Sequence, residues 1–284
     1  MRYSRTGIVA VLIAAELFIA SIIIVSAGGL KTFSSASTGH DIAFEPYSLP
    51  AIDAGSQPRV VIDDPDSRVV ITPSDDGKIH VSDSTRIAGW GWGSRPQRVQ
   101  VHQTSDGVLI ERPSTPGRIV IFGFESSGTD VALPANATVE IRNSSGATLS
   151  DLTGTISAHS SDGHISATNV RSSDVTLQTS DGRIVLTGVN ADKLEATTQD
   201  GSIHVSDLRV RSGSLHTSDG SITVALADAG DVTVHARTAD GSVRVNGVRQ
   251  DDLVPGDYKL GNGAGSLDVA TQDGSIRVTT NGAN

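Results

Sequence analysis

Over residues 159–248 one phrase returns five times: HSSDGHISATNV (159–170), QTSDGRIVLTGV (178–189), TTQDGSIHVSDL (197–208), HTSDGSITVAL (216–226) and RTADGSVRVNGV (237–248). Its glycines, Gly163, Gly182, Gly201, Gly220 and Gly241, are spaced 19, 19, 19 and 21 residues apart, and a further copy, TQDGSIRVTT, surrounds Gly274. A fixed short period is the mark of a repeat architecture. Two positions after each glycine stand Ile165, Ile184, Ile203, Ile222, Val243 and Ile276; four positions after stand Ala167, Leu186, Val205, Val224, Val245 and Val278. Apolar residues two apart mark one face of a strand. A second alternation precedes the glycine, at Val175 and Leu177, Leu194 and Ala196, Val234 and Ala236, and Leu267 and Val269.

Each period of about 19 residues therefore holds two short strands and two turns. The expected fold is all-β, a solenoid whose copies stack at the parallel inter-strand distance of about 4.8 Å. Six aspartates precede the glycines: Asp162, Asp181, Asp200, Asp219, Asp240 and Asp273. Asp-Gly is a turn signal, because glycine accepts positive φ and aspartate bonds back to its own backbone. Asp-Gly between alternating strands also fits independent hairpins, but aligned columns favour the coil. The six core positions Ile165, Ile184, Ile203, Ile222, Val243 and Ile276 should form one buried ladder. Aromatic residues are 4% of the chain, as suits a thin core of Val, Ile, Leu and Ala.

The 284 residues carry a net charge of -10 and no cysteine. The acidic balance argues against nucleic-acid binding, which needs a basic surface. Residues 1–27 read as a membrane anchor or signal segment. Arg2 and Arg5 precede the almost wholly apolar segment 7–25, long enough as a helix to cross a bilayer. The arginines place the N-terminus inside and the rest of the chain outside. The expected location is the bacterial cell membrane, single-pass, with an extracytoplasmic C-terminal domain; Val25-Ser26-Ala27 before Gly28 keeps open the alternative of secretion after cleavage. Glu16, mid-span, is either a contact with a partner helix or a tolerated protonated side chain. Residues 28–58, rich in Ser, Gly, Ala and Pro, read as a flexible linker.

The repeat domain is assigned to residues 59–284, with regular copies over 146–245 and irregular turns over 59–145 and 246–284. Early copies are read at Gly77, with Ile79 and Val81 in the downstream columns, and at Gly107, with Leu109. Val69, Ile71, Val99 and Val101 lie one position off the upstream register. Between the two copies, AGWGWGSRP (88–96) holds the only tryptophans, Trp90 and Trp92. Flanking glycines suggest a loop, which either presents the rings to a sugar or a membrane interface or covers the end of the coil. The 33-residue spacing from Gly241 to Gly274 implies a loop that bulges from the coil, and no terminal cap is evident.

The aspartate column invites calcium, yet calcium wants about six to eight oxygens and the nonapeptide roll pattern is absent; a plain turn is the simpler reading, and no metal or other cofactor is expected. The accompanying column of Ser160, Thr179, Thr198, Thr217, Thr238 and Thr271 supplies one Thr per turn where an ice-binding face needs two, so hydrogen bonding along the stack is expected instead. No nucleophile elbow, HExxH or P-loop occurs.

The phrase S/T-x-D-G-x-I-x-V, as in TSDGRIVL, TQDGSIHV and TSDGSITV, resembles the bacterial putative adhesin family, a toastrack-like β-solenoid domain of unknown function with an N-terminal transmembrane anchor. The resemblance covers residues 59–284 and brings no catalytic residues with it. It implies a non-enzymatic, adhesin-like or scaffold interaction module on the membrane, with a protein or glycan partner. The alternatives are a regulatory component of an envelope-stress membrane complex and, more weakly, a polysaccharide-processing enzyme. End-to-end self-association through terminal strands is a further expectation.

Overall fold

The computed structural model describes residues 40–92, 97–113, 119–228, 231–250 and 256–281, which are all-β without helix. The segment 7–25 with Glu16, the Val25–Ala27 motif and residues 28–39 lie outside them; among the described residues no helix is long and apolar enough to cross a membrane. Inside the stretch read as linker, His40–Phe44 and Tyr47–Ser48 are strands.

Each repeat is a rung of two strands, one on either side of its glycine, stacked in parallel on the rung before. Ile165 pairs with Ile184, Ile184 with Ile203 and Ile203 with Ile222, while on the other arm Val175 pairs with Leu194 and Ala196 with Leu215. The offset is the repeat period, so like residues meet. Their inward side chains form one buried cluster, joined by a third column, Leu152, Val170, Val189 and Leu208, from the turn after the second arm. That turn uses a left-handed residue at Asp151, Asn169, Gly188 and Asp207, with φ near 55° to 63°, a conformation open mainly to Gly, Asn and Asp.

The glycines of the Asp-Gly column have a different reason from the one expected. None of the six has positive φ. What forbids a side chain is the rung beneath: a Cβ on Gly182, Gly201 or Gly220 would lie 1.9, 1.8 or 2.1 Å from the carbonyl oxygen of Gly163, Gly182 or Gly201. The same carbonyls accept from the threonine column. Thr179 donates to Gly163 O (2.9 Å), Thr198 to Gly182 O (3.0 Å) and Thr217 to Gly201 O (2.8 Å). Ser160 makes the equivalent bond to Ser144 O at 3.0 Å.

Rung order departs from chain order at both ends. The last strand, Gly265–Thr280, does not stack outside the Gly241 rung. It slots between that rung and the Gly220 rung, pairing Ile276 with Ile222 on one side and with Val243 on the other. The threonine chain runs through the insertion, from Thr271 to Gly220 O and from Thr238 to Gly274 O. At the other end Arg59–Pro73 lies between Thr138–Ser150 and the outermost pair, Gly107–Glu111 and Gly128–Leu133. Val69 and Ile71 thus belong to the second arm, opposite Ala147 and Leu149.

Neither early copy is a rung with parallel arms on both sides of its glycine, although Gly107–Glu111 stacks in parallel on Arg59–Pro73. Val81 pairs antiparallel with Val131 and Ile79 bridges Ile52. Gln100–Thr104 and Gly107–Glu111 form an antiparallel hairpin, whose inward residues are Val108 and Ile110 rather than Leu109. Here Asp-Gly does make a hairpin turn. At the far end, Val248–Gln250 and Gly256–Lys259 pair antiparallel with the outermost rung, a cap the sequence did not reveal. Antiparallel strands thereby cover rung edges at both ends.

His40–Phe44, Arg86–Trp92 and Ile119–Ser126 make a separate three-stranded antiparallel sheet. Two strand pairs run into one another here: His80–Asp83 with Gly128–Leu133 in the rung body, then Arg86–Trp92 with Ile119–Ser126 in the small sheet. At the junction lies a buried ion cluster. Arg112 donates from Nε to Asp64 (3.0 Å) and from its terminal nitrogens to both oxygens of Asp83 (2.9 and 3.1 Å) and to the Thr129 hydroxyl, which donates to Asp64 at 2.6 Å. The Thr85 amide donates to Asp83 at 3.0 Å. Asp64, Asp83, Thr85 and Thr129 are fully buried. Burial raises the Asp83 pKa, but the hydrogen bonds and charge of Arg112, with those of Thr85, outweigh it and hold the carboxyl below its ordinary value.

Gly201→Ala should lower stability by about 1–3 kcal/mol, because backbone must move, whereas Asp200→Ala on the exposed side of the same turn should change it by less than about 0.5 kcal/mol; urea denaturation measures both. Arg112→Met leaves two buried carboxylates without their cation and should cost about 3–5 kcal/mol. Because the folded-state pKa of Asp83 lies below its unfolded value of about 3.9, its contribution is complete above that pH and is lost as pH falls through the folded value. Melting temperature against pH should therefore fall steeply below about pH 4, and Asp83→Asn should flatten that limb.

Candidate functional site

The columns singled out by the repeat are scaffold. Asp162, Asp181, Asp200, Asp219, Asp240 and Asp273 are all exposed at one edge of the rungs. Among the described residues no group of three or more His, Cys, Asp or Glu side chains lies close enough to hold a metal ion. Thr179, Thr198, Thr217 and Thr271 are buried with their hydroxyls turned to the neighbouring rung, which leaves no flat threonine face on the surface. The ladder of Ile165, Ile184, Ile203, Ile222, Val243 and Ile276 is buried. His159 and His216 share a column but are separated by Gln178 and Thr197. His80 follows Gly77 by three positions as His204 follows Gly201, but it pairs antiparallel with Ala132 and stands apart from His204.

The part of the tryptophan segment within the described residues, 88–92, is strand and not loop; residues 93–96 lie outside them. Its glycines allow close approach rather than a turn: a Cβ on Gly89 would lie 2.3 Å from Phe122 O, and one on Gly123 2.1 Å from Ala88 O. Trp90 stands opposite Phe122, and Ala88 opposite Phe124, so the three rings share one face. They are 36, 72 and 57% exposed, respectively. The opposite face is closed. Ile87 and Phe44 are buried and pack with Tyr47; the Arg98 guanidinium sits 5.0 Å from the Phe44 ring and 4.0 Å from that of Tyr47, whose hydroxyl donates to Val99 O. An exposed aromatic face on a sheet anchored from behind is a candidate contact surface.

A second surface follows the left-handed turns. Asp151, Asn169 and Asp207, with Arg171, Asn190 and Arg209 two positions beyond the turn, line an open groove of about 580 Å³. Asn169 donates to Asp151 at 3.1 Å, and Arg209 donates to Asp228 at 2.7 Å, which raises the guanidinium pKa further. Amide, carboxylate and guanidinium groups thus recur from rung to rung along one edge. They can accept from and donate to a polar ligand laid along the coil, one rung per repeat of about 4.8 Å.

The sequence analysis did not identify this groove. Its signal was the Asp, Asn or Gly that stands six residues after Gly163, Gly182 and Gly201. Phe122 and Phe124 were not singled out either. Their alternation with Gly123 was the sign that one face is bare.

No curated protein matches the chain. A solved structure of a putative adhesin from Bacteroides fragilis shares 11% identity at a TM-score of 0.40, covering 83% of this chain and 97% of its own. A putative cell adhesion protein from Clostridium sporogenes shares 12% at a TM-score of 0.36, covering 83% and 100%. The profile of one family matches residues 58–279, from the first rung strand to the last, and on that span the chain belongs to the Toastrack DUF4097 family.

Proposed function

We propose that this chain is a non-enzymatic, adhesin-like binding module, anchored in the bacterial cell membrane by residues 7–25 and holding its rung array on the extracytoplasmic side. The partner is a glycan or a protein segment that lies along the polar groove. The observation that carries this reading is the recurrence of hydrogen-bonding groups, Asp151, Asn169, Asn190 and Asp207 with Arg171 and Arg209, along one edge of a rigid stack. A rigid array loses little conformational freedom on binding and repeats its contacts at the spacing of its rungs. The apolar segment and its preceding arginines support the anchor. The family description, Toastrack DUF4097, names no reaction.

The full chain, reconstituted in nanodiscs, can be applied to glycan arrays and to intact bacterial cells. Binding should fall at least about tenfold, about 1.4 kcal/mol, when Arg171→Ala, Asn190→Ala and Arg209→Ala are combined, with an unchanged melting temperature. Undiminished binding by the triple variant would exclude the groove. Shortening of a bound glycan during incubation would replace the binding reading with a catalytic one.

A further inference from the structure

The small sheet leaves an aromatic face bare, and the chain that enters it fixes what lies nearby. His40–Phe44 is an edge strand of that sheet, paired with Arg86–Trp92. The fourteen residues 26–39 separate it from the apolar segment 7–25. At about 3.6 Å per residue they can hold it no more than about 50 Å from the segment's end, whatever their conformation. If that segment spans the bilayer, the sheet is the part of the body whose distance from the lipid is most tightly limited.

The chemistry of the face suits lipid better than an acidic or basic partner. Phe122 and Phe124 are 72 and 57% exposed beside Trp90; Ala88, opposite Phe124, and Arg86, opposite Ser126, continue the same face. Aromatic rings gather at the boundary between headgroups and acyl chains, where a ring enters apolar surroundings at its edge and keeps water at its other side. One arginine, Arg86, lies on this face and the chain carries a net charge of -10, so attachment draws on apolar insertion more than on a basic patch. The tether removes most of the entropic cost of the encounter, so a contact too weak to hold a free protein suffices for a tethered one.

We infer that the Trp90–Phe122–Phe124 face is a membrane-docking surface that inserts at the lipid interface and sets the stance of the rung array. The inference rests on the membrane-anchor reading, and its test separates the two. Both tryptophans lie on the strand Arg86–Trp92, so intrinsic fluorescence reports on this sheet alone.

The full chain is reconstituted in vesicles of phosphatidylcholine with a minority of phosphatidylglycerol, the phosphatidylcholine brominated near the headgroup end of its acyl chains. Retention after alkaline carbonate extraction reads the anchor separately. Tryptophan emission should fall about twofold against unbrominated lipid, as expected of rings at the interface. Phe122→Ser with Phe124→Ser should abolish most of that quenching while carbonate retention and melting temperature stay unchanged. Phe122→Leu with Phe124→Leu should keep it. Retained protein whose emission brominated lipid leaves unchanged would overturn the docking surface and leave the anchor standing, as would cross-linking of two copies through Phe124→Cys with no quenching. Loss of the protein in carbonate would remove both.

Discussion

A hydroxyl and a missing methyl hold this stack together. Each threonine of the turn column reaches the glycine carbonyl of the rung beneath, and that carbonyl is within reach only because the glycine above it has no Cβ. The two residues sit three apart in the chain, as in Thr198 and Gly201, so the phrase T-x-D-G encodes one contact and its clearance together. Aspartate, between them, faces solvent. The buried hydroxyls satisfy carbonyls that would otherwise be left without partners at the tightest point of the turn. Everything outward, the groove included, depends on rungs that repeat at this spacing without drifting in register.

Much of the rung array was legible because repetition states the same structural fact several times. Column by column, Ile184, Ile203 and Ile222 announce inward positions and parallel stacking. The reason for the glycines was not legible, since Asp-Gly has the same spelling in a hairpin turn, as at Gly107, and in a stacked edge, as at Gly201. Rung order was hidden for the same cause. Ile276 fits beside Ile222 as well as beside Val243, and only three-dimensional pairing decides that it touches both.

The small sheet illustrates a second limit. Gly89 and Gly91 around Trp90 look like loop residues because glycine weakens a strand. Gly123 supplies the complementary gap, but it lies 34 residues away from Gly89, in a stretch with no repeat to align it. Arg112 was equally silent. Beside Glu111 and Pro113 it reads as a surface charge, and its partners Asp64 and Asp83 come from strands 48 and 29 residues distant. That cluster joins the array to the aromatic face, so the stiffness of the junction depends on ions that no local pattern foretells.

The insertion of Gly265–Thr280 between two earlier rungs bears on how such a chain is made and lengthened. Gly265–Thr280 follows in the chain both of the rungs it separates, and the Gly220 and Gly241 rungs are not bridged until it is in place. The array is therefore closed by a later strand set between two earlier rungs, like a belt fastened one loop in. Duplicated repeats can be accommodated only among the interior rungs between Thr138 and Leu226, where chain order and stacking order coincide. An extra copy appended after Thr280 would meet a slot already occupied on both sides. Length in this molecule is set from the middle, and its two ends are fixed parts.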